Sequence, residues 1–327
     1  MAMMAVAVAA CSTKTADAPP PTIAPAQAAD SPPVTGPPAG EVRPLNGPGL
    51  ASAFDSSNHT LVVLGNDPAG RSVLTLVPGT SQPPRTVPLP AAATALASDG
   101  HGTAYVSTKG GYFRIEVAAG AVTRYDVDGA KDTDFTAIAH RSDGKVTLGS
   151  ADGAVYTLSS DTAVGAKLQI FARVDALAAQ GDTVVVLDRG QTSVTTVDAS
   201  GTHAEHSLRA GDGATTIAAD SAGRVLVADT RGDELLVFGA DPLMLRQRYP
   251  VPGAPYGLTG SNGLAWVSET ATNSVVGYDL ATGIPVEKVR YRTVQQPNSL
   301  AFDDDTGTLY VVSGTGGGVQ VIAKAAK

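Results

Sequence analysis

Thr216-Ile-Ala-Ala219, Gly223-Arg-Val-Leu-Val227 and Glu234-Leu-Leu-Val-Phe238 decide the fold, because the same three-part pattern recurs along the chain. Each unit opens on a small-apolar tetrad, passes a polar turn into a β-branched run, and crosses a Gly-rich turn into another. Runs of that composition, bounded by Gly, Asp and Asn, are strand and hairpin chemistry. The openings are Thr94-Ala-Leu-Ala97, Thr136-Ala-Ile-Ala139, Asp175-Ala-Leu-Ala178, Thr216-Ile-Ala-Ala219, Tyr256-Gly-Leu-Thr259 and Ser299-Leu-Ala-Phe302. Their bulky residues, Leu96, Ile138, Leu177, Ile217, Leu258 and Leu300, are 42, 39, 40, 41 and 42 residues apart. Ala51-Ser-Ala-Phe54 is a seventh, weaker opening. A helical solenoid is excluded, since its units need apolar spacings of three and four.

A unit of about 40 residues holds four antiparallel strands, and such a sheet cannot bury both faces by itself. Radial closure solves that problem. The expected fold is therefore all-β, a single β-propeller of seven four-stranded blades over residues 41–327, with six blades as the alternative if the weak first unit is an elaboration. The last unit stops soon after its third strand, so Glu41-Val-Arg-Pro-Leu45, just ahead of the first blade, is expected to supply the fourth and join the ends of the ring.

Composition agrees. Charged residues make up 17%, with 36 Gly and 22 Pro, which suits short strands and tight turns better than long surface helices. A net charge of −8 repels phosphate backbones, and no basic stripe offsets it, so nucleic acid is excluded as a partner. Anionic lipid is disfavoured as a surface ligand for the same reason. The single cysteine excludes an intramolecular disulfide, a Cys-based zinc site and a CxxC redox pair.

That cysteine is informative by position. Residues 1–10 are wholly apolar and end in Val8-Ala9-Ala10-Cys11, the small-residue approach of a lipobox. Ten apolar residues are too few to span a bilayer, so they read as a signal peptide, with Cys11 as the lipidation site and membrane attachment through the lipid. No Lys or Arg precedes the run, which places the start of a full signal peptide upstream of Met1. Residues 11–40 are rich in Pro, Ala, Thr and Ser, including Pro19-Pro20-Pro21, Pro32-Pro33 and Pro37-Pro38. Such a stretch has little apolar area to offset its ordering entropy and reads as an extended stalk, putting the domain on the extracytoplasmic side of the cell membrane.

Leu226-Val-Ala-Asp-Thr230, Trp266-Val-Ser-Glu-Thr270 and Val275-Val-Gly-Tyr-Asp279 resemble the strand-end signatures of YVTN/NHL-like propellers. Lipobox, Pro-rich stalk, Arg43-Pro-Leu45, Asp134-Phe-Thr-Ala-Ile138, Leu187-Asp-Arg-Gly-Gln-Thr-Ser193 and Val294-Gln-Gln-Pro-Asn-Ser-Leu-Ala-Phe302 are together similar to the LppL lipoproteins of mycobacteria and related actinobacteria. That resemblance covers most of the chain. It implies an envelope location and no particular reaction, since a propeller specifies a scaffold.

In such a ring the ligand site is expected at the channel mouth, on loops after second strands and on loops entering the next blade. Those loops carry Lys109, Asp188, Arg189, Asp229, Arg231 and Glu269, joined by Tyr256, Gln296 and Asn298. They read either as a polar ring around a small molecule, sugar or peptide end, or as turn carboxylates and blade-bridging arginines. Asp303-Asp304-Asp305-Thr306-Gly307 superficially resembles a calcium loop, but it lacks the later bidentate Glu and falls in a turn between strands. His59, His101, His140, His203 and His206 lie in or beside turns and form no HExxH pair. Ser142-Asp-Gly-Lys145 matches Ser-x-x-Lys only as a string, since that chemistry needs a helical turn. No P-loop, dinucleotide fingerprint or nucleophile elbow is present, so no cofactor and no catalytic residue are assigned.

Two functions compete. The first is an envelope binding or scaffold module. The second is a metal-dependent lactonase or esterase-like hydrolase, for which Asp188, Asp229, Glu269 and Asn298 are the plausible ligand set. A quinone-dependent dehydrogenase would need stacking aromatics, and aromatic residues make up only 5%.

Overall fold

The computed structural model describes residues 21–326; the signal-peptide segment and Cys11 lie outside them. The β-branched runs form seven four-stranded antiparallel sheets arranged as a ring. In the first blade the strands are Gly49–Asp55, Thr60–Asn66, Ser72–Pro78 and Arg85–Pro88, paired in that order. Blades two to six follow in chain order over residues 93–126, 135–169, 176–209, 214–250 and 255–292. The weak first unit is thus a complete blade, and the six-bladed alternative falls.

The seventh blade is composite. Pro297–Asp303, Thr308–Ser313 and Val319–Ile322 supply three strands, and Glu41–Arg43 pairs antiparallel with the last of them in the register Val42 to Gln320. The expected clasp is present, although it ends at Arg43 because Pro44 has no N–H to extend the ladder. Arg43, almost fully buried, donates through Nη1 to the Pro78 carbonyl at 2.6 Å and ties the clasp to blade one.

The core is a ring of layers between successive blades. Alternate residues of one strand point to opposite faces, so Val62 and Leu64 pack towards Val106 and Phe113 of blade two, while Leu61 and Val63 pack towards Tyr310 and Val312 of blade seven. Seven such clusters run round the ring, one per blade seam. Both faces of every blade are therefore covered, which is why second strands such as Val146–Ser150 are buried along their whole length and read as continuous apolar runs. Outer strands are different. Ala204–Arg209 is exposed at all but one position.

Hydroxyls staple the inner strands across the seams. Thr94 Oγ1 donates to the Phe135 carbonyl at 2.6 Å, Thr136 Oγ1 to that of Val174, and Thr216 Oγ1 to that of Tyr256. Ser52 and Ser299 bond each other at 2.8 Å across the closing seam. Each inner strand would otherwise present unpaired carbonyls to its neighbour, so the small polar residue that opens a repeat has a structural cause. Among the described residues the only helix is one 3-10 turn, Thr270–Thr272.

Candidate functional site

The first strands enclose a central cavity of about 360 Å³, lined by Ser52, Leu96, Ile138, Leu177, Ile217 and Leu258 and by their neighbours. At its mouth the loops after second strands meet the loops entering the next blade, and Arg189, Tyr256 and Asn298 of the expected residues border the cavity.

Asp188 and Asp229, both fully buried, direct their carboxylates into the fold. Asp188 accepts the backbone N–H groups of Ala172 and Arg173 through Oδ2, at 2.9 and 3.2 Å, and that of Gln191 through Oδ1 at 3.0 Å. Asp229 repeats the pattern one blade on, with Asp212, Gly213 and Gly232 at 2.9, 2.7 and 3.1 Å. Each carboxylate thus joins its own turn to the incoming loop of the same blade, the turn reading rather than the ligand reading. Gly211 fits this arrangement: its φ is +71°, and a Cβ there would lie 1.9 Å from Asp229 Oδ2.

Glu269 is buried and engaged by Arg290 Nη1 at 2.5 Å, Ser274 Oγ at 2.6 Å and Thr272 Oγ1 at 3.1 Å. The Arg290 guanidinium is held above its ordinary pKa range, first by its hydrogen bond to Glu287 and then by Glu269. Asn298 Oδ1 accepts from Gln296 Nε2 at 3.0 Å, and the Tyr256 carbonyl accepts from Thr216 Oγ1. Lys109 stays exposed, its backbone bridging to Asp134. Asp188 and Asp229 spend both oxygens on backbone N–H groups of their own loops, and Glu269 is engaged through Oε2 while its buried Oε1 has no hydrogen-bond partner. Among the described residues these carboxylates are not brought within ligand distance of one another, so with Asn298 they do not assemble a divalent-cation site. Among the described residues the only grouping of titratable ligand atoms within metal-binding range is His59, Asp303 and Asp305, far along the strands from the mouth at the turns between first and second strands. Asp303 there accepts from the Asp305 N–H and the Thr306 hydroxyl, as a turn aspartate does.

The arginines and amides are turned outward, and they hold a segment of the chain itself. Residues 21–40, expected as stalk, lie extended along the rim from blade four to blade seven. Ile23 N–H donates to the Gly190 carbonyl at 2.7 Å, Arg231 Nη2 to the Ala24 carbonyl at 2.7 Å, and Arg189 Nη2 to that of Ala26. Ala26 is buried against Gly213, where a Cβ would come within 2.9 Å of it. Further on, Gln296 donates to the Ala29 carbonyl and accepts from Ser31 N–H, both at 2.9 Å. Gln295 donates to the Ser31 carbonyl at 3.1 Å, and Asn273 Nδ2 to that of Pro32 at 2.7 Å. Ser31 Oγ donates to the Thr270 carbonyl. Asn273, Gln295 and this strap are the functional elements that the sequence reading missed. A left-handed asparagine after Thr272, at φ 50°, is the one local signal that marks the turn.

The ring and its mouth define the class: this is a seven-bladed β-propeller. Solved propellers superpose on it closely. A catalytically inactive variant of virginiamycin B lyase from Staphylococcus aureus, with quinupristin, gives a TM-score of 0.70 at 11% identity, covering 86% of this chain and 97% of that one. Hydrazine synthase from Kuenenia stuttgartiensis gives 0.68 at 14% identity over 86% and 97%. A chain of the mitotic checkpoint complex gives 0.68 at 12% over 95% and 98%. At these identities the likeness is one of fold. No protein-family model matches the chain, and no curated protein matches it in sequence.

Proposed function

We propose that this chain is an envelope lipoprotein of the LppL type, tethered through Cys11, whose propeller binds a partner and does not catalyse a reaction. The observation that carries the binding half is the division of labour at the mouth. Asp188 and Asp229 are consumed inside the fold, whereas Arg189, Arg231, Asn273 and Gln296 present hydrogen-bond donors outward to a polypeptide. A mouth so arranged can hold carbonyl and carboxylate oxygens, and the one carboxylate there that meets hydroxyls, Glu269 with Ser274 and Thr272, is itself ion-paired with Arg290. The anchoring half is supported by the apolar run, the lipobox and the Pro-rich spacer of the sequence. Among the described residues no helix is long and apolar enough to cross a membrane.

The test has two arms. Cys11→Ser should move the full-length protein from the membrane fraction to the soluble one; unchanged fractionation would remove the anchor. Crosslinking in intact envelopes should capture a partner that Arg189→Ala with Arg231→Ala loses, and capture indifferent to that pair would count against the mouth as the binding site.

A further inference from the structure

The strap along blades four to seven is bound almost entirely through its main chain. The carbonyls of Ala24, Ala26, Ala29, Ser31 and Pro32 each accept a side-chain hydrogen bond, and the Ile23 and Ser31 amides each donate one. Only the Ser31 hydroxyl takes part through a side chain. Apart from Ile23, the residues that make these bonds are alanine, serine and proline, within Ala24-Pro-Ala-Gln-Ala-Ala-Asp-Ser-Pro-Pro33. A proline-rich extended chain has many carbonyls without partners and few N–H groups, and a face that binds it needs donors. That is the composition of this groove. Its donors are also held in place before anything binds: Asp175 accepts the Arg189 backbone N–H at 2.9 Å, and Asp229 fixes the loop that carries Arg231.

We propose that the groove from Gly190 to Asn273 and Gln296 is a recognition site for extended, Pro- and Ala-rich peptide segments of another envelope chain, and that residues 22–33 occupy it as an internal competitor. This deepens the binding-module reading and rests on it. Recognition by main-chain carbonyls asks for small residues and an extended backbone, and Ala26 is buried with its Cβ seated over Gly213, where a side chain on the ring would collide with it. A competitor joined to the ring by the short stretch 34–40 acts at high effective concentration, so a free peptide binds the intact chain weakly until the strap is released.

The experiment uses the full chain and a fluorescein-labelled peptide of residues 21–34, followed by anisotropy. Ala26→Glu displaces the strap by steric and polar mismatch. Ser31→Pro, a second variant, removes the N–H that donates to Gln296 and the hydroxyl that bridges Thr270 and Gln296, and lies outside the seven sheets. Strap release is read independently from hydrogen exchange at the Ile23 amide in both variants, and at the Ser31 amide in Ala26→Glu. Released chains should bind the peptide at least about tenfold tighter than the wild type, and adding Arg189→Ala with Gln296→Ala should abolish the gain. A peptide with its prolines replaced by glycine should bind more weakly than the original. No saturable binding to a chain whose strap is released would overturn the proposal, as would tighter binding indifferent to the added pair. So would strap amides that stay protected in both variants, since the segment would then be a fixed part of the fold. Any of these failures leaves the partner crosslink at Arg189 and Arg231 to stand or fall by itself.

Discussion

Replacing Asp229 separates a structural carboxylate from a ligand-binding one. In the fold it is fully buried and accepts three backbone N–H groups, from Asp212, Gly213 and Gly232. A hydrogen bond to a charged acceptor contributes about 1.5–3 kcal/mol net, and a buried donor left without a partner costs about 1–3 kcal/mol. The Gly211–Gly213 loop can relax and admit water to some of those donors, so Asp229→Ala is expected to cost about 3–5 kcal/mol rather than the full sum. For a domain of this size that is a fall in Tm on the order of 10 °C. Asp229→Asn keeps the shape but places an amide NH2 opposite backbone donors, and should fall between the two. Scanning calorimetry on wild type, both variants and Arg231→Ala is the assay. Arg231 is exposed and should shift Tm by no more than about 2 °C. If Asp229→Ala melts with the wild type, or is stabilised as relief of a strained ligand site would predict, the turn assignment is wrong and the hydrolase ligand set regains its footing.

Three further outcomes follow from the same structure. Arg43→Ala should loosen the clasp by about 1–3 kcal/mol, seen as faster hydrogen exchange at Val319–Ile322, because its guanidinium spans from the closing strand to the Pro78 carbonyl. Asp143→Ala strips the 2.8 Å partner from Arg141, whose side chain is 1% exposed, and should cost about 3 kcal/mol in urea unfolding; Lys145→Ala, on the exposed side of the same carboxylate, should cost under about 0.5 kcal/mol. His140 stacks on Tyr105 with ring centroids 4.7 Å apart, and burial lowers its pKa, against the opposing pull of Asp99 and Asp143. The unfolded chain then binds more protons than the native one, so its contribution is present above the ordinary histidine range and is lost as pH falls through it. Unfolding between pH 7.5 and 5.5 should show a His140→Gln chain with a flatter stability profile than the wild type, and equal slopes would exclude the residue as the source.

The ring was legible because each blade repeats one physical requirement. Second and third strands are buried on both faces, so Ala154–Leu158 and Ser193–Val197 stand out as β-branched runs and begin and end where the pattern places them. Second strands begin a residue or two later than the pattern suggests. Gly144 and Gly223 have φ values of +83° and +79° and belong to the preceding turns. Fourth strands such as Arg85–Pro88 face solvent, carry little apolar signal, and could be inferred only from the repeat length.

The site was legible in its residues but not in their directions. Asp188 and Asp229 look like ligands by type alone, and only the backbone N–H groups converging on them assign them to the turns. The strap defeats composition for a different reason. Residues 21–40 lack the apolar area to order themselves, and Ala26 is their one buried hydrophobic residue. Their order comes from donors elsewhere, Arg189, Arg231, Asn273 and Gln296, which lie between about 160 and 270 positions away and have no counterpart in any local pattern. A proline-rich chain needs little entropy loss to become extended, so a row of preset donors is enough to hold it. The same economy makes the contact exchangeable: a segment held by main-chain bonds and one small side chain can be replaced by any other of equal shape, whereas the clasp at Glu41–Arg43, built into a sheet, cannot.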